Sequence, residues 1–273
     1  MLTSVRSLTA ATLAVGSLFA AVPALADDTP APAPASAPSP ITISGSAAIV
    51  SQYRFRGLAQ SDNKPAVQGS ILVSTTPGFY VGTWGSSASA GNSPINIGGT
   101  EIDVYGGYTH ALGTSGLKVD VGVYGYLYPG AHLGNYYELY GSLAATMGPA
   151  TAKVGVNYAP SQRVFNYNFT SPTHENTYVY GELGSSIPGT PLSVHSHLGY
   201  TSGGFDWGKQ YLDYTVGVSA SWKMLTLDAS LVGTDLSRSD INAGFACGAA
   251  PGCINSFYRM SKPVGVLSLT AAF

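Results

Sequence analysis

The 273-residue sequence predicts an all-β fold: a transmembrane antiparallel β-barrel of about twelve strands. Three observations carry that prediction. The chain is 45% hydrophobic but only 10% charged, far below the roughly 25% usual for soluble domains, and it holds 34 Gly and 18 Tyr. After residue 30 no apolar run approaches the ~20 residues of a membrane helix, while short segments alternate apolar and polar residues with a period of two. The connections between those segments also alternate in length, as they do in outer-membrane barrels with short periplasmic turns and long extracellular loops. A soluble sandwich has no reason to sort its loops by parity.

The first 26 residues read as an export signal. Arg6 gives a positive start, Leu8 to Phe19 an apolar core, and Ala24-Leu25-Ala26 a small-x-small cleavage pattern. Cutting after Ala26 removes Arg6 and leaves 11 basic against 14 acidic residues, a net charge of −3. Residues 27–40 (DDTPAPAPASAPSP) are rich in Pro and Ala and form an extended periplasmic arm. The barrel then occupies 41–273. An acidic balance argues against a nucleic-acid binder, which should carry a basic patch.

The strands follow in order. The first runs over 41–55, with Ile41, Ile43, Ala47 and Ile49 outward and Thr42, Ser44, Gln52 and Arg54 toward the lumen. Residues 56–65 form a polar loop. The second strand, 66–75, turns at Pro77-Gly78 into the third, 79–86, whose faces are hard to assign. After the loop 87–99 the fourth strand, 100–110, points Glu101 and Asp103 inward. The fifth, 117–128, alternates Val119, Val121 and Val123 with inward Lys118, Asp120 and Tyr124. The sixth, 136–147, faces Glu138 and Tyr140 inward; the seventh, 150–159, faces Lys153 inward; the eighth, 175–187, faces Tyr178, Tyr180 and Glu182 inward. The ninth, 191–201, carries His195 and His197 on the lumen face. The tenth, 210–222, carries Asp213, and the eleventh, 224–234, Asp228. Residues 235–261 are the longest loop. The closing strand, 262–273, sets Leu267, Leu269, Ala271 and Phe273 on one face and ends on an aromatic residue, the pattern that barrel-assembly machinery reads.

Several segments resemble the TorF family of porins, also known as the Gcw_chp family of proteobacterial envelope proteins. They are Tyr53 to Gly69 (YRFRGLAQSDNKPAVQG), Gly78 to Ser86 (GFYVGTWGS), Glu101 to Tyr108 (EIDVYGGY), Tyr128-Pro129-Gly130 and Asn135 to Gly141 (NYYELYG), in the family's order. The resemblance implies an outer-membrane barrel with a pore role in a Gram-negative bacterium. The loop holding Cys247 and Cys253 lies outside it.

Candidate chemistry is sparse. Cys247 and Cys253 (CGAAPGC) are spaced to close a small disulfide in an oxidising compartment; two thiols without a nearby His are too few for a metal. His195 and His197 share a face and read first as polar lumen residues rather than metal ligands. The inward acids outnumber Arg54, Lys118 and Lys153, so a cation preference follows if some are unpaired. The inward tyrosines Tyr124, Tyr126, Tyr128, Tyr140, Tyr178 and Tyr180 read as space-filling rather than as a ladder for sugars. Outward Tyr108, Tyr158, Tyr200, Tyr214 and Trp222 suit interfacial girdles. There is no GxSxG elbow, P-loop or HExxH, and His195 and His197 reveal no Ser-His pair at a membrane edge. The expected function is passive diffusion of small hydrophilic solutes or ions, with no enzyme activity and no cofactor. The expected surroundings are outer-membrane lipid and lipopolysaccharide. A closed barrel serving as a surface adhesion or structural protein is the alternative.

Overall fold

A computed structural model describes residues 40–89, 97–167, 174–206, 209–244 and 251–273. Its strands, in chain order, are β1 (Ile41–Val50), β2 (Arg54–Phe55), β3 (Leu58–Ala59), β4 (Ala66–Thr75), β5 (Phe79–Ser87), β6 (Thr100–Ala111) and β7 (Leu117–Leu127). They continue with β8 (Tyr136–Met147), β9 (Ala150–Ala159), β10 (Asn176–Ser186), β11 (Leu192–Gly203), β12 (Tyr211–Trp222), β13 (Leu225–Thr234) and β14 (Val264–Ala272). Twelve of them close into an antiparallel barrel in the order β1-β14-β13-β12-β11-β10-β9-β8-β7-β6-β5-β4. Each strand therefore hydrogen-bonds to both neighbours, and no edge is left open. The ring closes where β1 meets β14 over five paired positions, Ser46–Val50, whereas β1 and β4 pair over ten.

The residue distribution is inside-out. Ile43 is 70% exposed and Leu183 61%, while Glu138 is 0% exposed and Glu101 1%. Strand alternation produces this directly: Glu138 faces in and its neighbours Tyr137 and Leu139 face out. Such a continuous apolar exterior far exceeds what a monomer leaves in water. At the end with the short turns, Trp222, Phe79 and Phe273 stand exposed, and Lys223 Nζ lies 4.9 Å over the Trp222 ring. Outward Tyr158 and Tyr200 lie toward the other end and bond to Glu175 and Gln210.

The strand spans read from alternation agree with the structure to within two residues at each end, except the first. That strand stops at Val50, not residue 55. Its alternation carries on through Tyr53 and Phe55 because the chain leaves the wall and enters a second, inward hairpin built of β2 and β3. The faces of 79–86 are settled too: Gly82, Trp84 and Ser86 face in, and Phe79, Val81 and Thr83 face out. The 235–261 segment is not all loop. It carries α1 (Arg238–Gly244) and α2 (Pro251–Ser261), since Ile254, Phe257 and Tyr258 fall on one helical face and bury together.

Glycine makes the lumen fillable. Inward tyrosines lie directly across from inward glycines on the next strand: Tyr105 opposite Gly82, Tyr140 opposite Gly122 and Tyr180 opposite Gly155. A Cβ on any of these three glycines would run into the facing tyrosine. The ring thus covers backbone that the glycine leaves bare, and a narrow barrel accommodates large side chains at these inward positions.

Candidate functional site

The lumen divides into two zones. Toward the end with the long connections, the wall presents Glu101, Asp103, Glu138 and Asp213, all deeply buried. They are buried because residues 51–65 fold inward across them. Phe55 and Leu58 pair, leaving Arg56 and Gly57 as a two-residue turn with φ of +47° and +76°. Positive φ at both positions is the signature of a type I′ turn, which suits the right-handed twist of a hairpin. Arginine in that conformation costs ~1–2 kcal/mol, so contacts of the side chain must offset it.

Those contacts are specific. Arg56 Nη2 donates to both oxygens of Glu138, at 2.8 and 2.6 Å. Its guanidinium lies 4.1 Å over the Tyr178 ring and 4.8 Å over Phe55. Tyr211 donates its hydroxyl hydrogen to the Arg56 carbonyl at 3.3 Å. Along the approach, Tyr53 donates to Glu101 Oε1 at 3.1 Å and packs on Trp84, with ring centroids 5.2 Å apart. Phe55 meets Tyr126 edge-on at 5.5 Å, and Tyr126 stacks on Tyr136 at 4.3 Å. A buried ion pair contributes little net stability, but removing one partner strands the other charge at a cost of ~3–5 kcal/mol. The pair therefore fixes where the hairpin sits.

Deeper in the lumen a second set of charges is internally matched. Lys153 Nζ lies 3.6 Å from Glu182 and 5.1 Å over Tyr180. His197 bridges two acids, with Nδ1 3.5 Å from Glu182 and Nε2 3.2 Å from Asp213, and its Nε2 lies 2.6 Å from the Tyr178 hydroxyl. His195 Nε2 lies 2.6 Å from Asp228, which also accepts from Ser230. Asp120 accepts from Tyr80 at 2.5 Å, and Lys118 lies on the same face of β7 nearer the short turns. The two histidines thus serve different acids and do not converge.

Glu101 and Asp103 are differently served. Tyr53 reaches Glu101, and Tyr124 donates to Asp103 at 3.0 Å. Glu138 and Glu182 lie against cations, Asp228 shares a short contact with the His195 ring, and the collar at Glu101 and Asp103 is served by tyrosine hydroxyls instead.

Arg54 does not line the barrel wall. From the base of the hairpin its Nη1 donates to the carbonyls of Gly57, at 3.0 Å, and Met260, at 2.5 Å, and its Nη2 donates to Asn63 and Gln52, both at 2.9 Å. It therefore caps the carboxyl end of α2, where a cation is favoured. Alternation alone could not show this, because β2 belongs to the hairpin and not to the ring. Arg56, Tyr53 and Trp84 are candidate-site residues that periodicity missed, whereas Tyr211 falls on the inward face that alternation gives it. An aromatic-rich connection with Arg-Gly between Phe55 and Leu58 was the available signal.

The helical segment forms a cover over the hairpin. Leu58 packs with Tyr211, Leu236, Ile241 and Phe257. Arg259 bonds to Asp62, Lys64 lies 3.0 Å from the same carboxylate, and Asn63 donates to the Arg259 carbonyl at 3.1 Å. The Arg259 hydrogen bond, with Lys64 assisting, holds the Asp62 carboxyl below its ordinary pKa. That contribution is present above the ordinary Asp range and is lost as pH falls through the depressed value. For so exposed a pair it amounts to ~0–1 kcal/mol. Asp62→Asn is therefore expected to speed protease cleavage within 235–263 at neutral pH while the barrel stays resistant. An unchanged digestion pattern would count against the clamp. Cys247 lies outside the described residues, and so does its expected bridge to Cys253.

The fold has known counterparts. Among solved structures, the KdgM porin matches with a TM-score of 0.53 at 9% identity, covering 84% of this chain and 99% of that one. The KdgM porin in complex with disordered oligogalacturonate matches at 0.52 and 9% identity, covering 85% and 98%. The NanC porin matches at 0.51 and 11% identity, covering 85% and 99%. At such identities the likeness is one of fold. No curated protein sequence matches the chain. A family model described as "Bacterial protein of unknown function (Gcw_chp)" matches residues 34–254. That span is most of the sequence and reaches from before β1 into the helical cover, and the chain belongs to the Gcw_chp family.

Proposed function

We propose that this protein is a porin-like channel of a Gram-negative outer membrane, passing small hydrophilic solutes or ions by diffusion, cations ahead of anions. One observation carries the reading: a closed sheet with an apolar exterior encloses a lumen lined by carboxylates, histidines and tyrosine hydroxyls. Water and ions are the natural contents of such an interior, and lipid is the natural cover for such an exterior. The barrels of the KdgM and NanC porins share the fold. Lumen acids Glu101, Asp103, Asp120, Glu138, Glu182, Asp213 and Asp228 outnumber Arg56, Lys118 and Lys153, which favours cations.

In this reading residues 1–26 direct export and 27–40 form a periplasmic arm. The short turns face the periplasm, the long connections face outward among lipopolysaccharide, and Phe273 is recognised during assembly. No covalent chemistry is involved. Purified protein in planar bilayers is expected to give stepwise currents carried mainly by cations, with conductance below that of a 16-stranded porin. Current carried mainly by anions would refute the charge argument.

A second reading has its own support, because the hairpin and helical cover fill the end with the long connections. A permanently closed barrel with a working outer surface would stay silent in bilayers even after the hairpin is removed.

A further inference from the structure

We propose that Arg56 is the latch and the selectivity-determining charge of this channel: the β2–β3 hairpin closes the lumen while Arg56 holds Glu138, and opens it on release. The proposal rests on the channel reading above and goes further, by naming the residue that governs passage.

Position is the first argument. In the ring of twelve, β8 stands five strands from β1 in one direction and seven in the other. The hairpin grows from the end of β1, yet Arg56 bonds to Glu138 on β8. It therefore spans the lumen close to a diameter. Gly57, beside it, packs against Thr234 on β13 and Asp213 on β12, two and three strands from β1, so closely that a Cβ would clash, while the Arg56 side chain reaches across to β8. Residues placed thus are not a rim decoration; solute must pass them or displace them.

Turn chemistry is the second argument. A type I′ turn prefers Asn-Gly, and this one carries Arg-Gly. A locally disfavoured residue held at the tip of a hairpin points to a role for its side chain. The hairpin ladder itself is only two residue pairs long, too short to hold its place unaided. Its seat depends on the Arg56–Glu138 pair, the aromatic packing of Tyr53 and Phe55, and the helical cover.

Charge is the third. Arg56 places a cation beside a collar of buried carboxylates, Glu101, Asp103 and Asp213, which accept hydrogen bonds from the hydroxyls of Tyr53, Tyr124 and Tyr178. Removing the guanidinium both clears the passage and leaves the collar more negative.

The test uses the full chain refolded in detergent, in planar bilayers with asymmetric KCl, with folding checked by heat-modifiable gel mobility. Arg56→Asn suits the turn and so keeps the hairpin. It is expected to raise conductance several-fold and to shift the reversal potential toward that of K+. Glu138→Gln is expected to raise conductance without that shift, since it removes an acid and keeps the cation. The swap Arg56→Glu with Glu138→Arg is expected to bring conductance back toward wild type. A silent wild type with a conducting Arg56→Asn variant overturns the wild-type currents expected above but supports the latch. Wild-type conductance and reversal potential in both single variants overturn the latch alone. Silence in every variant, including one with Tyr53 to Gln60 replaced by a Gly-Ser linker, overturns the channel reading and the latch with it.

Discussion

Val154→Arg is expected to destabilise the folded barrel by about 2–4 kcal/mol. Val154 sits at the middle of β9 and is 60% exposed, flanked by Leu143 on β8 and Gly181 on β10. In a water-soluble protein so exposed a position would accept arginine within about 0.5 kcal/mol. The size of the effect therefore reports what covers the outer face. Depth supplies the control. Tyr158 lies two outward positions nearer the end of the same strand, and Tyr158→Arg is expected to cost only about 0–1 kcal/mol. Reversible urea unfolding from lipid vesicles measures both. Equal costs for the two variants, or none for either, would remove the argument for lipid around the barrel.

Gly155→Val is expected to destabilise by about 1–3 kcal/mol, although valine is the better strand former by up to ~1 kcal/mol. The Tyr180 ring lies over Gly155, and a Cβ there has nowhere to go. One strand away, outward-facing Gly181 meets nothing closer than 3.9 Å, so Gly181→Val is expected to be neutral or stabilising. The pair separates steric filling of the lumen from strand propensity. Combining Gly155→Val with Tyr180→Ala is expected to recover part of the loss, because the vacated ring volume accepts the valine. If Gly155→Val proved as stable as wild type, close ring-on-glycine packing would not be what fills this lumen.

Local periodicity was enough to find the wall. Strands such as β8 and β14, where Leu139 or Leu267 alternates with polar or small neighbours, carry their own inside and outside, and loop parity fixed their number as even. Glu101, Glu138 and Asp213 were legible for the same reason: on a strand, side is decided by parity alone. What parity cannot encode is a contact across the lumen. Arg54 kept the alternation of β1 although the chain had already left the ring. Arg56 sat in a stretch that reads as polar loop, and its partner lies 82 positions away. The fold of 235–261 was hidden because the apolar face of α2 spans barely two turns and follows a Gly- and Ala-rich run.

The five-position junction of β1 with β14 has a consequence for biogenesis. The hairpin hangs from β1, and the helical cover runs directly into β14. Both obstructing parts are thus carried by the first and last strands of the wall, whose pairing closes the ring. A nascent cylinder would be hollow until that zippering, and its stopper would be seated only afterwards. Refolding should then show two kinetic phases, a slow one for ring closure and a later one for the emission of Trp84 as Tyr53 settles against it.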